Sequence, residues 1–129
     1  MSTGETDLDR LIAGMQPVLR PGVYAFASLP PGAPAPSSLR PICTFLEDEG
    51  PSLVALRADL EAAGLVAEYS CRWISLEIDS ALEAVGFLAA ITARLAAAGI
   101  SVNPVSARRH DHLFVPTDDA DRAMVILKG

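Results

Sequence analysis

Residues 73–79 read Trp73-Ile74-Ser75-Leu76-Glu77-Ile78-Asp79, and this alternation constrains the fold more than any other stretch. Successive side chains of a strand point to opposite faces, so Ile74, Leu76 and Ile78 share one face and Ser75, Glu77 and Asp79 the other. A strand patterned in this way packs one face on helices and turns the other to water or a partner. A helix bounded by glycines follows. Gly86 precedes Phe87, Leu88 and Ile91, and Gly99 stops the run after Leu95 and Ala98. Re-entry at Ile100-Ser101-Val102, a further strand over 111–116 and a last helix complete an α+β order. Thr117 is expected to N-cap that last helix ahead of Asp118, Asp119 and Asp121. Ala123, Val125, Ile126 and Leu127 supply its apolar side, and Lys128 sits at its negative end.

The first half carries weaker signals of the same kind. Leu8, Leu11, Ile12 and Met15 have helical spacing, and Pro17 ends that helix one residue earlier or bends it. Residues 22–29 read as a strand. The run 30–38, with its four prolines, cannot continue a sheet and is a connecting loop. Residues 42–46 read as the next strand. The acidic stretch 47–52, with Pro51 in it, predicts the start of a helix whose buried stripe is Leu53, Leu56 and Leu60. Gly64 caps that helix and 66–69 form a short strand. The series Leu53, Leu56, Leu60, Ala63, Gly64, Leu65 recurs 35 residues later as Leu88, Ile91, Leu95, Ala98, Gly99, Ile100. Strand signals flank each copy, so the repeat reads as two strand–helix–strand units and not as a helical solenoid.

At 129 residues the chain buries one core of ordinary size, or two very small ones sharing an interface. Half its residues are apolar but only 5% are aromatic, so the core is built from Ala, Leu, Val and Ile. A net charge of −6, with Arg108-Arg109 as the one compact basic pair, argues against nucleic-acid binding. Cys43 and Cys71 form no disulfide framework or zinc spacing and are expected to be buried thiols. Residues 1–7 are polar and acidic, so they are expected to be a disordered tail and not a signal peptide. The most apolar segment, 84–100, is broken by Gly86, Thr92, Arg94 and Gly99, short of a membrane span. A cytoplasmic protein with no membrane partner is expected.

Val85-Gly86-Phe87 at the helix start, Ala98-Gly99-Ile100-Ser101-Val102 at its exit, Ser106 ending the next strand and 111–116 as the third occur in that order. On these residues the segment 73–129 resembles an ACT domain. In particular the chain resembles short, uncharacterised tandem ACT-like proteins of bacteria, and it is similar to the ACT modules of cytosolic arginine sensors in animals. The resemblance implies a ferredoxin-like sandwich in which helices cover one face of each antiparallel sheet. It also implies a regulatory fold that binds an amino acid or related metabolite where two such domains meet. Residues 8–71 then form a divergent first ACT-like domain and 72–129 the second. The first lacks its own first strand and the second lacks a fourth strand after Lys128, and the halves are expected to complete each other's sheets. A competing partition takes 41–106 as one β-α-β-β-α-β unit.

The resemblance places a ligand at the exit of the alternating strand, at Asp79 and the loop 80–86. Ala84, Val85, Gly86 and Phe87 lead from that loop into the helix, whose first N–H groups could hold a carboxylate. Gly86 would let the ligand approach the backbone, Asp79 would receive an ammonium group, and Ser101 and Asn103 would orient it. Alternatively, Asp79 or Ser80 merely caps the helix. His110-x-His112 would bring two imidazoles to one face, but a stable metal site wants further ligands. No serine sits in a nucleophile elbow and no glycine-rich phosphate loop is present. The expectation is therefore a sensor of a small molecule, an amino acid or related metabolite, with no cofactor: not an enzyme, and a homodimer or higher homo-oligomer. The alternatives are a ligand-free interaction module and a metal-binding protein using His110 and His112.

Overall fold

The computed structural model describes residues 4–129. The chain forms two compact units: residues up to Pro21 together with Arg72–Gly129, and the continuous stretch Gly22–Cys71.

In the discontinuous unit, α1 (Leu8–Gly14) starts where Asp7 Oδ1 accepts a hydrogen bond from the Arg10 N–H at 3.0 Å. Of the tail expected to be disordered, residues 1–3 lie outside the described residues. Residues 4–7 differ from that expectation: Glu5 bridges to Ser80 and Asp7 is the cap. Helix α1 ends at Gly14 because Pro17 disfavours helical geometry at Gln16, and Gln16–Leu19 become β1. The rest of this unit runs β5 (Glu68–Glu77, from Arg72 onward), α3 (Phe87–Ala97), β6 (Asn103–Ser106), β7 (Asp111–Pro116), a 3-10 turn (Thr117–Asp119) and α4 (Ala120–Lys128). Its strand order is β1–β5–β7–β6. Strand β1 runs antiparallel to β5, with Gln16 opposite Glu77 and Leu19 opposite Ile74. It fills the fourth strand position of this sheet. The unit is a ferredoxin-like β-α-β-β-α-β sandwich whose last strand comes first in the chain.

Helices cover the apolar face of this sheet. Leu11, Ile74, Leu76, Ile91, Leu95, Leu113 and Leu127 form its core, each under 4% exposed. Sequence and structure differ at the last helix. Thr117 lies in the 3-10 turn, and α4 starts at Ala120 with no side-chain cap. Its buried residues are Ala120, Ala123 and Leu127, an i, i+3, i+7 set, while Val125 is exposed. The polar face of β5 is not simply wet either: Ser75 is fully buried among Arg20, Trp73 and His112.

The continuous unit holds β2 (Tyr24–Ser28), β3 (Cys43–Glu47), β4 (Gly50–Leu56), α2 (Arg57–Ala62) and the first residues of β5. Its strand order is β3–β4–β2–β5. This is again the ferredoxin order, but the connection 29–42 replaces the first helix. Leu29 and Leu39 from that connection fill the core beside Ala25, Ala27, Leu53, Ala55 and Leu60.

The helix start expected at 47–52 is a β-hairpin, with Glu47 opposite Gly50. Leu53, Val54 and Ala55 are consecutive and all buried, so both faces of this part of β4 are covered. A strand buried on both faces reads as a continuous apolar run, which helix periodicity mimics. The strands expected at 66–69 and 73–79 merge into β5. A register shift opposite Tyr24 and Phe26, with Tyr69 at φ 60°, marks a bulge, beyond which β5 pairs with β1 instead of β2.

Candidate functional site

The loop after β5 is held at several backbone points. Ser80 N–H donates to the Ile78 carbonyl at 2.9 Å and to the Arg109 carbonyl at 3.3 Å. Glu5 straps the loop: its N–H donates to the Asp79 carbonyl and its carbonyl accepts from Ala81 N–H, both at 2.9 Å. The loop then turns at Gly86, whose φ of 90° is rarely adopted by residues with a Cβ, and α3 begins. No side chain caps α3, so its first-turn N–H groups stay without an internal partner.

A cleft of about 80 Å³ lies here, lined by Ser80, Ala81, Leu82, Ala84, Phe87, Leu88, Ser106, Ala107 and Asp111. Asp111 is 8% exposed, and its Oδ1 accepts a hydrogen bond from the Ser106 hydroxyl at 2.5 Å. A buried carboxylate thus stands on one wall and the open start of α3 on another. That combination suits a small zwitterion: cation toward Asp111, anion toward the helix start.

The structure distributes the sequence-derived residues unevenly around this cleft. Ala84 and Phe87 line it, Phe87 with its ring in the core at 3% exposure. Gly86 forms the turn and Val85 is 82% exposed beside it. Asp79 lies outside the lining, its carboxylate shared by Arg108 Nη1 at 3.5 Å and Arg109 Nη1 at 3.9 Å. These are exposed pairs of small energetic weight. Ser101 precedes β6, instead of lying on it, and Asn103 opens that strand; both are exposed and outside the cleft. Of the residues lining this cleft, sequence reasoning included Ser80 in the ligand loop, read Asp111 only as a strand residue and used Ser106 only as a strand end. The Ser106–Asp111 pair was accessible in principle, because these residues close the β6–β7 hairpin opposite each other.

His110 and His112 do share a face, with ring centroids 6.5 Å apart. Their nitrogens are engaged elsewhere. His112 Nδ1 lies 3.0 Å from Trp73 Nε1, and His110 Nδ1 lies 3.0 Å from the Ile78 carbonyl. Among the described residues no group of three or more His, Cys, Asp or Glu is placed to hold a metal ion. Among the same residues no helix is long and apolar enough to cross a membrane. Cys71 is buried and Cys43 half-buried, and burial pushes the Cys71 thiol up to about 11, which makes it a poor nucleophile.

Comparison with known proteins agrees with this architecture. Two family models, both described as ACT domain, match residues 3–72 and 68–129. No curated protein was found to match the sequence. Among solved structures, the chain is similar to VC0802 of Vibrio cholerae, a protein of unknown function described as a possible transport protein. The two are 36% identical over 98% of this chain and 97% of that one, with a TM-score of 0.85. Protein Atu0741 of Agrobacterium tumefaciens is 19% identical, covering 88% of this chain and 87% of that one, at a TM-score of 0.67. The ligand-free regulatory subunit of aspartate kinase from Thermus thermophilus is 9% identical, covering 87% and 93%, at a TM-score of 0.64. At such identities the last two likenesses concern the fold alone. On the strength of both family models and the likeness along nearly the whole chain, this protein belongs to the ACT domain family, with two ACT domains in tandem.

Proposed function

We propose that the chain is a non-enzymatic regulatory protein that binds an amino acid in the cleft formed by Ser80–Leu88 residues of the loop and by Ser106 and Asp111. Tandem ACT domains are commonly ligand-binding regulatory modules of amino-acid metabolism, and the cleft supplies the matching chemistry. The observation that carries the reading is the buried Asp111 carboxylate, steadied by Ser106 and facing the uncapped start of α3. Asp111 receives the ammonium group and the first-turn N–H groups of α3 receive the carboxylate. Ala84, Gly86 and Phe87 form the wall along the ligand's backbone. At about 80 Å³ the cleft accommodates the head group, so the ligand's side chain extends toward exposed Leu82 and Val85. A second copy of the chain covering these residues would complete the site.

The test is a thermal-shift screen of the purified chain against the amino acids at millimolar concentration. A ligand at 100 times its dissociation constant adds about 2.7 kcal/mol of stability. The expected result is a selective shift that Asp111→Asn removes while the unliganded melting temperature stays near the parent value. No shift from any amino acid would overturn the reading.

A second reading, a ligand-free oligomerisation module, draws on a different observation. Strand β3 forms one edge of its sheet and exposes Phe45 at 70% and Leu46 at 79%. An apolar, unpaired edge of this kind favours pairing with another strand. This reading expects a stable oligomer that Phe45→Glu dissolves and whose melting temperature ignores every amino acid.

A further inference from the structure

We propose that two copies of the chain join along β3, antiparallel about a twofold axis at Phe45, so that their continuous units share one sheet. The partner is a second copy, and the register follows from the backbone groups that β3 leaves open. This pairing rests on the exposed edge of the second reading and does not depend on amino-acid binding.

In an antiparallel ladder, pairs that exchange hydrogen bonds alternate with pairs whose backbone groups point away. Leu46 lies opposite Pro51, which has no N–H, so these two are not an exchanging pair. The exchanging pairs are therefore Cys43–Val54, Phe45–Ser52 and Glu47–Gly50. The N–H and C=O of Thr44 and Leu46 point outward, and β3 is the end strand of the sheet. Upstream, Ile42 N–H is already given to the Val54 carbonyl at 2.8 Å. Downstream, the chain turns at Asp48 and Glu49. Thr44 and Leu46 are thus the residues of β3 open to a new strand. Two antiparallel copies engage all of their outward groups in a single register, with Thr44 opposite the partner's Leu46. That register sets the two Phe45 rings across the axis, in a non-exchanging pair, where cross-strand side chains come closest.

The side chains suit a second copy. Phe45 is 70% and Leu46 79% exposed. From Ile42 to Leu46 the strand has no proline and no charge to keep another edge away. The end strand of the other unit, β6, is guarded by Pro104. Antiparallel pairing also brings the start of one β3 beside the end of the other. Arg40 is exposed and makes no ion pair among the described residues. In the dimer it lies toward the acidic turn Glu47-Asp48-Glu49 of the other copy. A parallel pairing would set those carboxylates side by side instead.

The test uses the full chain in a Cys43→Ser background, which leaves the buried Cys71 as the other native thiol. Under mild oxidation Phe45→Cys should give a disulfide-linked dimer on a non-reducing gel. Leu46→Cys should not, since diagonal neighbours lie about 7–8 Å apart, out of disulfide reach. Leu46→Pro, made in the parent chain, removes an outward N–H and spares the β3–β4 ladder, so its circular-dichroism spectrum should match the parent's. Its dimer dissociation constant in sedimentation equilibrium should rise about tenfold or more, because each copy loses a hydrogen bond. Arg40→Glu should weaken the dimer less, with an effect that shrinks as salt is added. Absence of the Phe45→Cys cross-link, equal cross-linking of Leu46→Cys, or a dimer unaffected by Leu46→Pro would overturn this register while leaving the oligomerisation reading in place. A parent chain that stays monomeric throughout the concentration series would overturn both.

Discussion

His112 shows how much a single residue's state depends on its neighbours. Its Nδ1 lies 3.0 Å from Trp73 Nε1. An indole N–H can only donate, so Nδ1 is the unprotonated acceptor and the imidazole is neutral. The Ser75 hydroxyl, 3.2 Å from the same nitrogen, then donates to it and accepts from Arg20 Nε–H at 3.2 Å. Burial lowers the His112 pKa below its ordinary 6.5; His110 and Arg20 push the same way, while Asp111 and Glu77 oppose them. The folded-state pKa is therefore below the unfolded one, and the unfolded chain binds more protons. This contribution to stability is complete above pH 6.5 and is lost as the pH falls through the folded-state pKa. Melting temperature should be flat near neutrality and decline on the acid side, and His112→Gln should flatten that decline. An unchanged acid slope in the variant would place the titrating group elsewhere. Trp73, the only tryptophan, offers a fluorescence readout of the same step. The alternation of His110 and His112 was legible in the sequence, but their partners lie on β5 and at Ile78 just past its end, and only the tertiary fold names them.

Among the elements, the helix ends were more legible than the helix starts. The repeated Leu-x-x-Ala-Gly-apolar pattern closes α2 and α3 in the same way. Leu65 N–H donates to the Leu60 carbonyl and Ile100 N–H to the Leu95 carbonyl, each at 3.0 Å. Gly64 and Gly99 take φ of 77° and 73° to make those closures. A left-handed residue with a Cβ costs roughly 1–2 kcal/mol, so Gly99→Ala should lower stability by about that much. Denaturant unfolding would show it, and an unchanged midpoint would contradict the cap assignment. Space does not limit this position, since an added Cβ meets nothing within 4 Å. The front halves of the two repeats diverge, because residues 50–56 are a strand and 87–91 a helix. Local sequence cannot separate these cases, since a buried strand and one face of a helix both present Leu and Ala at close intervals. The same limit hid part of the candidate cleft: Asp111 looks like a strand residue until Ser106 is seen across the hairpin.

At the scale of the whole molecule, chain order and spatial order part company. The second ACT match covers 68–129, yet the sheet built from those residues is completed by β1, which lies at 16–19. A fragment of residues 68–129 therefore lacks a strand and leaves Ile74 and Leu76 short of a covered edge. We expect it to be unfolded or aggregated by circular dichroism and gel filtration, and addition of residues 4–21 on a flexible linker should restore folding. A fragment folded and monomeric by itself would show that β1 is dispensable. The sequence alone determined the α+β class, the ACT resemblance, the alternating strand, the glycine-closed helices and the loop that bounds the candidate cleft. All of these rest on periodicity and on conformational preferences of single residues, which act over a few positions. Tertiary structure alone decided which strand fills the fourth place, that 47–56 is a hairpin, that Ser75 is buried, and that Asp111 rather than Asp79 faces the cleft. Each of those depends on pairing between residues far apart in the chain, where burial and hydrogen-bond satisfaction outweigh local preference.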